Sequence, residues 1–133
     1  MSISSSSVLL GSTVSASGGT STSLLSKGGD SNHVAVMIND SSEFMDQKTA
    51  KFFVAEPRPQ ASAPNGYTQS RATLRLLFPI NLDNGSRSVN TLEIKLGVDI
   101  ETTEAEIAEY QAIAAQFMTG SDFSDFWVNR SIA

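Results

Sequence analysis

Two stretches decide the fold: Arg71-Ala-Thr-Leu-Arg-Leu-Leu-Phe78 and, after a polar break, Asn90-Thr-Leu-Glu-Ile-Lys-Leu-Gly-Val98. Both alternate with a period of two, the repeat of a half-buried β-strand. In the first, Ala72, Leu74, Leu76 and Phe78 share one side, while Arg71, Thr73, Arg75 and Leu77 share the other. In the second, Leu92, Ile94, Leu96 and Val98 oppose Thr91, Glu93, Lys95 and Gly97. Upstream, Thr49-Ala-Lys-Phe-Phe-Val-Ala55 sets Ala50, Phe52 and Val54 against Lys51, Phe53 and Ala55. His33-Val-Ala-Val-Met-Ile38 does the same with Val34, Val36 and Ile38, and Asn39-Asp-Ser-Ser42 breaks it. Pro57 and Pro59 stop one strand and Pro79 closes another, because proline cannot donate to a ladder. Arg58 to Gly66 reads as a proline-rich loop, Asn81 to Ser88 as a polar loop, and Val89 to Ile100 as the last strand.

The pattern changes at Thr102. Thr103 followed three residues later by Glu106 is a capping box. Ile107, Tyr110, Ile113, Ala114, Phe117 and Met118 then recur at helical spacing, and Gly120 suits a C-terminal cap. Ser121 opens a second short helix carrying Phe123, Phe126 and Trp127. At the other end, residues 2–31 are a Ser/Thr/Gly segment, a composition common in disordered tails. Its apolar punctuation also fits a hairpin, with strands Val8 to Gly11 and Thr20 to Leu25, a connection at Ser15 to Gly19, and a turn at Lys27 to Asp30. The reading is one α+β domain over residues 1–133: an N-terminal β-hairpin (2–31), a five-stranded antiparallel sheet (32–100) and two C-terminal α-helices (102–130).

Composition narrows the function. The 133 residues are 40% hydrophobic and 17% charged, with no apolar run near the ~20 residues of a membrane span. The start, Met1-Ser-Ile-Ser-Ser-Ser-Ser7, has neither a cationic region nor a long apolar stretch and does not read as a secretory signal. There are no cysteines and one histidine, which exclude disulfides, thiolate catalysis and multi-histidine metal sites. The net charge of −5 argues against a protein coated in nucleic acid, yet the charge is uneven. Glu101, Glu104, Glu106, Glu109, Asp122 and Asp125 crowd the helices, whereas the polar strand faces collect Lys51, Arg71, Arg75 and Lys95 among threonines. Cations flanked by hydroxyls are the types that meet phosphates and sugars. Any half-exposed sheet also carries charge on its wet side, with Glu93 pairing Lys95 or Arg75, and both readings stay open.

These residues resemble the coat proteins of the small single-stranded RNA bacteriophages, the levivirus type. The likeness spans nearly the whole chain and rests on the order of elements together with local matches. These are Ala50-Lys-Phe-Phe-Val-Ala-Glu-Pro57, a polar loop, Tyr67 to Phe78 closed by Pro79, and Ile100-Glu-Thr-Thr-Glu104 running into a helix. The resemblance implies an intertwined homodimer, two sheets joined edge to edge with each subunit's helices over its partner, burying Phe117, Phe123, Phe126 and Trp127. It implies assembly of dimers, in the bacterial host cytoplasm, into the icosahedral shell of a virion, sheet inward and helices outward. The loop bearing Asn81, Asp83, Asn84, Gly85 and Arg87 takes the place that gathers at the five-fold and quasi-six-fold axes.

The resemblance further implies that the sheet face packages single-stranded viral RNA and binds an RNA hairpin to repress translation. By position the RNA-binding candidates are Lys51, Phe53, Ala55, Arg71, Thr73, Arg75, Thr91, Glu93 and Lys95. Thr73 and Arg75 match the family's threonine and basic residue. Phe53 and Ala55 stand where small hydroxyl residues are common, and Thr91 near a base-stacking tyrosine, departures that bear on hairpin specificity more than on electrostatic packaging. No cofactor, metal, membrane or small-molecule substrate is implied.

Three rival readings have specific marks against them. A fibre or pilin-like subunit would suit the serine-rich start but not the capped helices. An enzyme would need more than His33, which reads as a surface histidine, and no oxyanion or phosphate cradle is present. A small RNA-binding module would need aromatic platforms on the basic face, where only Phe53 and Tyr67 qualify.

Overall fold

The computed structural model describes residues 5–13, 16–39, 43 and 46–132. The chain divides into two compact units, one of Met1–Gly18 with Glu101–Ala133, the other of Gly19–Ile100.

The second unit is a five-stranded antiparallel meander in the order β1-β2-β3-β4-β5. Its strands are β1 (Leu24–Gly29), β2 (His33–Ile38), β3 (Thr49–Ala55), β4 (Ser70–Asn81) and β5 (Arg87–Val98). The period-two pattern sets the register, since slipping by one residue would turn every apolar side chain to the wrong face. Val34, Phe52, Leu74 and Ile94 therefore form one row across four strands, and Val36, Ala50, Leu76 and Leu92 the next.

The structure corrects the N-terminal reading. Residues 6–9 have no regular structure and Leu10–Gly11 is a turn, so Val8 to Gly11 is not a strand; Val14 and Ser15 lie outside the described residues. The hairpin is instead β1 with β2, and Lys27 to Gly29, read as a turn, belong to β1. The glycines act as a strand irregularity rather than a reversal: the register shifts between Ser26 and Gly28, where Gly28 has φ 101°.

Pro79 does not close β4, which continues to Asn81 opposite Arg87. Hydrogen-bonding groups alternate sides along an antiparallel strand. The Leu82 N–H bonds the Ser86 carbonyl, so even-numbered positions face β5 and odd ones face β3. The missing donor of Pro79 thus points towards the β3 side, where pairing already stopped at Thr49–Leu77. The polar loop shrinks accordingly to Leu82–Ser86, a turn closed by Gly85 N–H to Leu82 carbonyl, with Gly85 at φ 85°. At the other end of β4, Tyr67 makes only an isolated bridge with Pro59, and the strand starts at Ser70.

The first unit holds α1 (Glu104–Thr119), a 3₁₀ turn (Ser121–Phe123) and α2 (Ser124–Asn129). Thr103 caps α1 as its sequence indicates, accepting from the Glu106 N–H at 3.2 Å while its hydroxyl donates to Glu106 Oε1 at 3.1 Å. Gly120 is the C-cap but is extended, φ −65°, so it is not there for left-handed geometry. A Cβ would stand 2.7 Å from the Gln116 carbonyl and 3.1 Å from the Phe123 ring. The N-terminal segment is clipped to α1 by the Gln116 amide. Its oxygen accepts from the Leu9 N–H at 2.6 Å, and its nitrogen donates to the Leu9 carbonyl at 2.8 Å.

Both units leave their apolar faces open. On the sheet, Val34, Phe52, Val54 and Ile94 are 43–50% exposed, and on the helix Tyr110 and Phe117 are exposed while only Ala112 of α1 is buried. No large side chain among the described residues is fully buried.

Gly120→Ala is expected to destabilise the α1–α2 junction by roughly 1–3 kcal/mol through steric conflict. The shift of the denaturation midpoint in urea checks this; an unchanged midpoint would show that the Phe123 ring moves aside at no cost.

Candidate nucleic-acid interface

The face opposite the apolar rows is set by the same register. One row reads His33, Phe53, Thr73, Lys95 and the next Ala35, Lys51, Arg75, Glu93. Ala55, Arg71 and Gly97 form a third, and Met37, Thr49, Leu77 and Thr91 a fourth. All nine sequence candidates, Lys51, Phe53, Ala55, Arg71, Thr73, Arg75, Thr91, Glu93 and Lys95, therefore stand on one face.

Geometry ties the middle of this face together. The His33 and Phe53 rings stack at 4.6 Å with 20° between planes, and the Arg75 guanidinium lies 5.6 Å from the Phe53 centroid. Arg75 Nε donates to Glu93 Oε2 at 3.1 Å, and Lys95 Nζ lies 3.1 Å from Glu93 Oε1. One carboxylate thus serves two cations, so the pairing expected of a wet sheet face holds with both partners. Lys95 and Arg75 hold the Glu93 carboxyl below its ordinary range by hydrogen bonding and charge. Beyond Ala55 and Arg71, at the end of β3 and β4, a concavity of about 470 Å³ also takes in Asn32, Arg58, Thr68 and Gln69.

His33 was not among the sequence candidates. It is half-buried in the polar row, and its Nε2 is buried with no partner. The signal was its phase, opposite to Val34, Val36 and Ile38. Asp46 carried no such signal: it pairs with Arg87 Nη1 at 2.5 Å across 41 residues of sequence. That pair tethers the base of the β4–β5 hairpin. Asp83, Asn84 and Gly85 make its tip, where Asn84 Oδ1 accepts from the Ser86 N–H at 2.9 Å, while Asn81 and Arg87 sit in the flanking strands.

The aromatic candidates gather in the other unit. Phe117 and Phe123 meet edge to face at 4.9 Å, as do Phe126 and Trp127, and the Trp127 indole N–H donates to the Phe117 carbonyl at 2.7 Å. The four line an apolar hollow of about 220 Å³. Phe123 is buried at its base, and the other three are about two-fifths exposed.

This architecture has counterparts among solved structures. A chain titled as the virus-like particle of bacteriophage GQ-907 superposes with a TM-score of 0.85, covering 99% of this chain and 100% of its own at 24% identity. This is the phage coat-protein fold. The subunit titled as the virus-like particle of bacteriophage AVE019 matches at TM-score 0.61 and 8% identity over 80% of this chain and 82% of its own. That of bacteriophage NT-214 matches at 0.59 and 13% over 84% and 85%. No protein-family model and no curated protein matches the sequence. The coat-protein fold is thus carried here by the alternation of strands and the order of elements, with little identity retained.

A depressed folded-state pKa contributes stability above the ordinary carboxylate range and loses it as pH falls through the folded value. The melting temperature of the native protein relative to Glu93→Gln should accordingly fall as pH drops below the normal carboxylate range. A difference independent of pH would contradict the double pairing of Glu93.

Proposed function

We propose that this chain is a capsid protein that assembles as dimers into a shell and packages single-stranded RNA on its polar sheet face. The observation that carries the reading is the pair of uncovered apolar faces on a chain with the coat-protein fold. Burying a side chain such as Phe52, Val54 or Ile94 contributes roughly 1.5–3 kcal/mol, so leaving a row of them wet forfeits much of a small domain's stability. A second copy supplies what is missing: the α1 face of Ile107, Tyr110, Ile113, Ala114, Phe117 and Met118 matches the sheet's apolar rows in character. The edges favour the same arrangement. β1 is a six-residue edge broken by its irregularity, whereas β5 is a twelve-residue edge strand with unpaired backbone groups along one side. Pairing β5 with β5 across a two-fold axis satisfies those groups and joins two sheets into one.

The dimer's sheet then presents Lys51, Arg71, Arg75 and Lys95 twice over, a density of cations suited to a flexible phosphate chain. The aromatic hollow of Phe117, Phe123, Phe126 and Trp127 closes against the partner, and the hairpin of Asp83, Asn84 and Gly85 meets its neighbours around the shell axes. Repression through an RNA hairpin is a further part of the reading, supported by Thr73 and Arg75 side by side on β4. The site of action is the virion, built in the bacterial cytoplasm.

Expression of the chain alone in bacteria is expected to yield a void-volume species in size exclusion, with ultraviolet absorbance dominated by nucleic acid and round particles in electron microscopy. A folded species eluting as a dimer with protein-like absorbance would turn the reading to a small RNA-binding module. Arg75→Ala with Lys95→Ala should leave the dimer folded and reduce the RNA recovered per particle; unchanged RNA would remove this face from packaging. Trp127→Ala should weaken the dimer by ~3–5 kcal/mol, the cost of truncating a buried tryptophan. A dimer dissociation constant equal to wild type would take α2 out of the interface.

A further inference from the structure

Glu93 is the sole acid in the rows formed by Lys51, Arg71, Arg75 and Lys95, and it stands between two of those cations. Exposed ion pairs contribute little to stability. The side chains here are 42% exposed for Arg75, 32% for Glu93 and 69% for Lys95, so strand stapling is a weak reason for the arrangement. Its larger effect is on the field: one carboxylate cancels a quarter of the face's positive charge and sits where a phosphate would bridge Arg75 and Lys95. Arg75 is also held from the side by the Phe53 ring, itself backed by His33, so its guanidinium stays at the surface when its partner changes.

We propose that Glu93 is a resident counter-ion of the polar face, displaced by the ligand rather than touching it. The ligand class this selects is a flexible, densely charged phosphodiester chain, because only many phosphates at once compete with a carboxylate already bound to both cations. Isolated phosphate does not. The inference rests on the RNA-facing reading of this surface and reverses the role that position alone would give Glu93, that of an RNA contact.

The test is the salt dependence of binding. RNA-free full-length protein is titrated with fluorescently labelled oligouridylate across a salt series, as wild type and as Glu93→Gln. For single strands the slope of log K against log salt is about −0.7 per phosphate neutralised. Glu93→Gln frees one cation equivalent, so its slope should steepen by about 0.7, with affinity roughly two- to ten-fold higher at low salt. Inorganic phosphate at millimolar concentration should not compete in the wild type. An unchanged slope with a lowered melting temperature would make Glu93 a strand staple and overturn the proposal. Weaker binding would make it a direct RNA contact and overturn it equally. Should Glu93→Gln not fold, Glu93→Thr, which suits an exposed strand position, carries the same expectation. Arg75→Ala with Lys95→Ala in the same titration separates the two claims. If it binds as wild type, the RNA-facing reading fails; if it loses binding while Glu93→Gln does not steepen the slope, only the counter-ion role fails.

Discussion

The constraint on which the rest depends is the strict two-residue alternation of β2 to β5. It fixes the register, and the register makes one face of the sheet apolar and the other cationic. The apolar rows through Phe52, Leu74 and Ile94 remain half-exposed, and Tyr110 and Phe117 of the α1 stripe are exposed, with Ala112 the one buried residue of that helix. A small domain has little apolar surface to spare, so leaving those rows wet forfeits a large part of the stability available to it.

The polar face follows a different logic. Phe53, the aromatic residue among its rows, is half-buried, with the His33 ring stacked on it and the Arg75 guanidinium near its ring. That stack gives the flexible arginine a fixed position, and the fixed arginine gives Glu93 a defined partner. Cations of this face therefore stand beside a paired carboxylate, while the chain as a whole carries a net charge of −5. The hairpin beyond β3 is tethered separately, by Arg87 to Asp46. Its tip is a tight turn that depends on the left-handed Gly85.

Low identity with retained shape has a physical explanation in the same terms. Alternation, turn residues and a capped helix constrain classes of side chain, not individuals, so the GQ-907 subunit keeps the whole course of the chain with only 24% of its residues the same. The two other phage subunits diverge further and still share four-fifths of the chain.

The strands from His33 onward, the Thr103 cap and the sorting of nine candidates onto one face were all legible in the sequence, because periodicity and capping are local. The reading failed where local signals were ambiguous. Glycines at Gly28 and Gly29 look alike in a turn and in an irregular edge strand, and Pro79 looks like a terminator until the side that lacks a partner is known. Only the tertiary structure decided what spans long separations: Gln116 reading the backbone of Leu9, Asp46 meeting Arg87, His33 lying on Phe53. Those contacts depend on which strands neighbour each other and which hydrogen-bonding side faces outward, and no window of sequence contains that information.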